Sequence, residues 1–290
     1  MKIQLDPSCP FNLEATLCCG QAFRWDKQGE WWYGVIKGNV LKIRQIGEEL
    51  EFENVDRKLV EEYFGLHDNL PEILSQISRD EHIRRAAEIF KGLRILRQEP
   101  WECLISYICA TYKSIPAIKK MLRALSMKFG DKISFEGHDF YVFPPPERLA
   151  KATFKELAEC GLGYRTKFVY AAAKKVYEEH FNLESLRKMP YEKAKMELLK
   201  FLGVGFKVAD CVLLFSLEKL EAFPVDVWMK RVILKYYWEY FPKEFIVRLS
   251  RKESLSQSDY KALNLFGRRY FGRYAGYAQE YLYHFERTQI

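Results

Sequence analysis

Residues Met196–Tyr237 read MELLKFLGVGFKVADCVLLFSLEKLEAFPVDVWMKRVILKYY. Leu198, Leu199 and Leu202 end one helical pattern at Gly203-Val204-Gly205. Val208, Val212 and Phe215 then recur at helical spacing and give a second helix its apolar face. Two glycines around one apolar residue make a tight hairpin whose backbone can approach another molecule closely. The amides of Gly203 and Gly205, with the N-terminus of the next helix, form a natural phosphate site. Lys207 falls in the first turn of that helix, where the positive end of the macrodipole disfavours a cation. The placement is poor for stability and useful for chemistry, because a destabilised ammonium releases the amine as a nucleophile. Cys211, four residues on, projects from the same helix face. Asp226, in Phe223-Pro224-Val225-Asp226-Val227, immediately precedes another helical pattern and is a good N-cap. A carboxylate pinned in that way also suits an electrostatic partner in a reaction. Taken singly, these features have plainer readings: glycines that cap helices, and a lysine that touches a phosphate or is only solvated.

Outward from this segment, the chain divides in two. From about Gln21 to Glu53, WWYGVIKG, NVLKIRQI and EELEFEN are rich in aromatic and β-branched residues. Breaks at Lys27-Gln28-Gly29, Gly38-Asn39 and Gly47 make them an antiparallel meander. From Val55 the period turns helical, as in Leu59, Val60 and Tyr63, and stays so almost to the C-terminus. The fold class expected is α+β: an N-terminal antiparallel sheet domain with helices, residues 1–98, and an all-helical domain, residues 99–290.

Composition narrows the function classes. The net charge of +7 permits a polyanionic partner, but the basic residues are spread without a run that would form a basic tail. No stretch of about 18 apolar residues suggests a membrane span. The start, MKIQLDPSCPFNL, lacks an apolar core of signal-peptide length, which points to an intracellular protein. The seven cysteines are scattered and no pair has C-x-x-C spacing, so free buried thiols are expected rather than disulfides, a zinc knuckle or an iron–sulfur cluster.

G-V-G-x-K-V-A-D-C followed by P-V-D-V resembles the helix-hairpin-helix (HhH-GPD) glycosylases, in particular the 8-oxoguanine DNA glycosylases. CGQAFRW (Cys19–Trp25), LRILRQEPWECLISYIC (Leu93–Cys109), GLGYR (Gly161–Arg165) and YAGYAQEYL (Tyr274–Leu282) resemble the same family, in the family's order. The resemblance implies a TBP-like N-terminal domain, a helical catalytic domain, and double-stranded DNA containing 8-oxoguanine as partner. A monomer is expected, in the cytoplasm or nucleoid of a prokaryote rather than in a nucleus. The resemblance implies extrusion of the damaged nucleotide into a pocket. It also implies attack of Lys207 on the sugar C1′, a Schiff base, and β-elimination that nicks the strand. Asp226 would stabilise positive charge on the sugar. Gly20, Cys211, Gln279 and Tyr283 would recognise the base, with Tyr283 standing where the family has phenylalanine. Tyr164 would be the wedge and Arg165 the contact to the opposite base.

Two departures stand out. Ala110-Thr111-Tyr112-Lys113-Ser114-Ile115-Pro116-Ala117 replaces a run of asparagines and an arginine that read the opposite cytosine, so weak preference for the opposite base is expected. Trp228 replaces a histidine that contacts phosphate, leaving Gly203, Gly205 and Trp228 as the DNA clamp. No cofactor is implied beyond a monovalent cation on the backbone carbonyls of Leu199, Phe201 and Val204. The rival readings are a broader-specificity or alkyl-base glycosylase of the same superfamily, and a non-catalytic DNA-binding module. Lys207 argues against the water-using subgroup of the first, and the second leaves Asp226 unexplained.

Overall fold

A computed structural model describes residues 1–289. Five strands form an antiparallel sheet: β1 (Lys2–Gln4), β2 (Trp25–Gln28), β3 (Trp31–Ile36), β4 (Asn39–Ile46) and β5 (Glu49–Glu53), in the order β1-β5-β4-β3-β2. The meander is therefore present, and β1 adds an edge strand that the sequence pattern did not reveal. At the β3–β4 turn, Lys37 and Gly38 both have positive φ (45° and 76°), the two-residue geometry that matches the twist of a hairpin. Along β5 Leu50 and Phe52 are buried while their neighbours are not, which turns one face inward. Against that face pack α1 (Leu13–Cys18) and α2 (Arg57–Tyr63), in a core that includes Leu17, Trp25, Ile43, Phe52, Val60 and Leu96.

The second, larger core is helical. Its helices are α3 (Leu70–Ile77), α4 (Glu81–Ile89), α5 (Pro100–Cys109), α6 (Ile115–Phe129), α7 (Pro146–Lys151), α8 (Phe154–Ala158) and α9 (Thr166–Glu178). After them come α10 (Tyr191–Leu198), α11 (Phe206–Ser216), α12 (Val227–Tyr236), α13 (Lys243–Ser250), α14 (Gln257–Phe271) and α15 (Ala275–Thr288). Helices α3 and α4 precede residue 98 in sequence, yet their buried residues Leu70, Ile73, Ile77, Ile83 and Ala86 belong to this core, because α15 packs on both. Helical pattern does not run unbroken to the C-terminus. Lys132–Phe135 and His138–Tyr141 form a hairpin, β6–β7, around Glu136-Gly137, both at positive φ (49° and 77°). The signal was present in KISFEGHDFY: alternation flanking a glycine turn.

Candidate active site

The hairpin forms as the sequence suggests. Helix α10 stops at Leu198, the turn crosses Gly203-Val204-Gly205, and α11 starts at Phe206 with Gly205 as its N-cap. Gly203 sits at φ +83°, and a Cβ there would lie 2.4 Å from the Phe168 ring, so the turn requires glycine twice over. Gly205 faces open space. Both are exposed, leaving the turn free to meet a ligand. Of the three carbonyls expected to hold a monovalent cation, that of Phe201 accepts the Val204 amide at 3.0 Å. A carbonyl oxygen keeps a second lone pair, so Leu199, Phe201 and Val204 remain compatible with the ion.

Asp226 caps α12: its Oδ1 accepts from the amides of Trp228 (2.9 Å) and Met229 (3.0 Å). A buried network that sequence reasoning missed fixes the segment leading to it. The Asp210 carboxylate, fully buried, accepts from Tyr191 Oη, Tyr260 Oη, Lys195 Nζ (2.8 Å) and Asn264 Nδ2 (3.1 Å). Asn264 also donates to the Phe223 carbonyl (2.8 Å), and Tyr260 Oη lies 3.4 Å from the Val225 amide, which donates to it. Helix α11 thereby holds the Phe223–Asp226 segment through α14. Burial pushes the Asp210 carboxyl up from its ordinary range, against the pull of Lys195. The signal was available: Asp210 stands among the apolar residues Val208, Ala209, Val212 and Leu213, and a buried charge demands partners.

Lys207, Cys211, Asp226, Gly20, Gln279 and Tyr283 all line one cavity of about 790 Å3. The residues come from three distant parts of the chain. Gly20 reaches it because Gln21 is stapled in place. The Gln21 amide nitrogen donates to the Arg94 carbonyl (2.8 Å), and its oxygen accepts from the Leu96 amide (2.7 Å). Gly20 has φ +101°, and a Cβ there would fall 2.8 Å from Arg287 Nη1 and 3.5 Å from Tyr283 Oη. Gly20 thus lines the cavity with backbone alone, at a point where Arg287 and Tyr283 leave no room for a side chain. Cys211 is buried, and burial first, then its neighbours, pushes its thiol well above the ordinary range, with Lys207 pulling the other way. It is an inert, neutral wall. Burial also raises the Tyr283 hydroxyl, and the charge of Asp226 adds to this. Trp228 lies at the rim with the Arg231 guanidinium 4.6 Å from its ring centre, and Gly203 and Gly205 line the same opening.

Tyr164 and Arg165 lie beside the opening rather than in the cavity wall. Tyr164 is half exposed, with its hydroxyl 3.5 Å from the Thr111 carbonyl. Arg165, expected to contact the opposite base, is 2% exposed. Its guanidinium donates to the Thr111 carbonyl and stacks 4.3 Å from the Tyr164 ring centre. The Thr111–Ser114 loop carries Tyr112, 86% exposed and at φ +51°. Among the described residues, no group of three or more His, Cys, Asp or Glu could hold a metal ion, and no helix is long and apolar enough to cross a membrane.

An amine and a capped carboxylate, facing one cavity behind a glycine hairpin open to phosphate, define an enzyme of the helix-hairpin-helix class. Residues 105–251 match the HhH-GPD superfamily of base excision DNA repair proteins, and residues 2–104 match the 8-oxoguanine DNA glycosylase N-terminal domain. The chain belongs to the HhH-GPD superfamily. It is 31% identical to an N-glycosylase/DNA lyase of Saccharomyces cerevisiae, over 93% of this chain and 82% of that one. It is 29% identical to N-glycosylase/DNA lyase OGG1 of Arabidopsis thaliana, over 94% and 76%. The structure superposes on the Clostridium acetobutylicum 8-oxoguanine glycosylase/lyase, solved with double-stranded DNA containing cytosine opposite 8-oxoG, with a TM-score of 0.85. The two are 34% identical over 96% of this chain and 92% of that one. A 3-methyladenine DNA glycosylase from Archaeoglobus fulgidus, 24% identical with a TM-score of 0.78, shares the fold.

Proposed function

We propose that this chain is a bifunctional DNA glycosylase/AP lyase that excises 8-oxoguanine from duplex DNA. The observation that carries it is the convergence of Lys207 and Asp226 with Gly20, Cys211, Gln279 and Tyr283 on one cavity. The amides of Gly203 and Gly205 and the Trp228 rim hold the phosphate backbone, and Tyr164 enters the stack as the nucleotide is extruded. Cys211 and Tyr283 sandwich the base and Gln279 bonds its edge. The Gly20 carbonyl accepts the N7–H that 8-oxoguanine has and guanine lacks. The Lys207 amine attacks C1′; the bond to the base breaks, and its electron pair leaves with the base, which takes up a proton. Asp226 stabilises the positive charge that develops on the sugar. The C1′–O4′ bond then opens, O4′ takes up a proton, and C1′ and the lysine nitrogen form a Schiff base; this acidifies the C2′ proton, whose loss expels the 3′ phosphate. Borohydride should trap a covalent adduct with an 8-oxoguanine duplex, and Lys207→Gln should abolish trapping and nicking. A Lys207→Gln protein that still traps and nicks would refute the mechanism.

Discrimination of the opposite base is proposed to be weak. The loop from Ala110 to Ala117 offers no asparagine or arginine, and Arg165 is engaged inside with Thr111. Excision at similar rates opposite C, A, G and T is expected. Restriction to C would show that Arg165 is released on binding and reads that base.

A further inference from the structure

Glu280 follows Gln279 on α15 and is not used by the mechanism above. It is 2% exposed, yet it lines the same cavity. Its Oε1 is buried without a hydrogen-bond partner, and so is Oε1 of Gln279. Two consecutive residues of the cavity wall thus carry unpaired polar oxygens, and the protein supplies no partner that ties their side-chain ends in place. Buried polar groups are almost always paired, so such a pair at a cavity wall calls for an explanation, and a ligand in the cavity supplies one. The Cys19 thiol, next to Gly20, is among the groups that act on the Glu280 carboxyl, which places that carboxyl at the Gly20 end of the pocket.

We propose that Glu280 reads the extruded base: its carboxyl donates a hydrogen bond to a carbonyl oxygen of the oxidised purine, beside the N7–H accepted by Gly20. This rests on the function proposed above. An acid must hold its proton to donate. Burial raises the Glu280 carboxyl to about 7, and Asp226 across the cavity adds to this, while Cys19 and Arg287 oppose it. The groups facing it are Cys19 beside Gly20, Tyr107 on α5, Asp226 at the cap of α12, and Tyr283 and Arg287 on α15 itself. Burial pushes Cys19, Tyr107 and Tyr283 above their ordinary values, which removes them as sources of a change just above neutrality. Ionised Glu280 loses its donor and turns a negative oxygen toward the base carbonyl. Base excision should therefore fall above pH 7 for a reason that strand cleavage at a base-free site does not share.

The test compares single-turnover excision of 8-oxoguanine with AP-lyase activity on a duplex carrying a preformed abasic site, across pH 6–9. For the wild type, the ratio of the two rates should fall roughly tenfold between pH 7 and 9 as the donor is lost. Glu280→Gln, whose amide both donates and accepts as the protonated acid does, should keep the ratio within about twofold across that range. Glu280→Ala should lower excision about tenfold or more at pH 6, draw level with the wild type toward pH 9, and leave AP-lyase activity unchanged. The proposal is overturned if Glu280→Gln follows the wild-type profile, if Glu280→Ala excises normally at pH 6, or if Glu280→Ala loses both activities in parallel. A wild-type chain that fails to excise 8-oxoguanine overturns the proposed function and this inference together. Normal excision with indifferent variants overturns this inference alone.

Discussion

Asp210 and Glu280 are both buried carboxyl groups, each next in sequence to a residue of the cavity wall, Cys211 and Gln279. They are built in opposite ways. Asp210 has two tyrosine hydroxyls, an ammonium and an amide arranged around it. Glu280 has an oxygen with no partner. A buried charge is costly unless it is paired, so the first is a fixed joint whose partners reach Phe223 and Val225 and so set Asp226. The second is held at a cost that the fold does not recover by itself, which is the mark of a group kept for a ligand.

Breaking each side should give opposite signs. Asp210→Ala leaves the Lys195 ammonium buried without its partner and should cost about 3–5 kcal/mol in denaturant unfolding. A cost below about 1 kcal/mol would mean that the network is not a joint. Glu280→Gln should instead stabilise the protein above neutral pH. The folded carboxyl titrates at about 7 and the unfolded one near 4.5, so the folded state holds a proton that the unfolded state has released in between. Stability is therefore lost as pH rises through that window. At pH 8 the substitution should recover at most ~3 kcal/mol, and at pH 4 almost nothing. Thermal midpoints at the two pH values check the sign.

Smaller effects sharpen the contrast between fixing the site and contacting the substrate. Gly203→Ala forces a side chain into a left-handed conformation against Phe168 and should cost roughly 1–3 kcal/mol. DNA affinity should fall with it; affinity unchanged in low salt would remove the turn from the phosphate contact. Asn264→Ala releases the Phe223 carbonyl from Asp210 and should cost about 1–2 kcal/mol. Because it acts only through the placement of Asp226, kcat should fall with little change in KM. A change confined to KM would contradict a positioning role.

The hairpin, the Asp226 cap, the Lys207–Cys211 face and the meander were legible because each is a local pattern of spacing, turn residues and capping. The β6–β7 hairpin was equally local and was overlooked inside a helical stretch. Other features depend on partners far away in the chain. Arg165 looks like an exposed residue after a turn, and only the folded loop shows that the Thr111 carbonyl receives it. Helices α3 and α4 carry ordinary amphipathic patterns, which do not say that α15 is the surface they cover.

The sequence by itself determined the hairpin, the lysine in the first turn after it and the aspartate cap, since each is fixed by neighbours a few residues away. The tertiary structure alone decided that Gly20, Lys207 and Gln279 share one cavity, and that Asp210 is satisfied where Glu280 is not. Burial and pairing depend on which distant segments meet, and a pattern of residues along one segment does not carry that information.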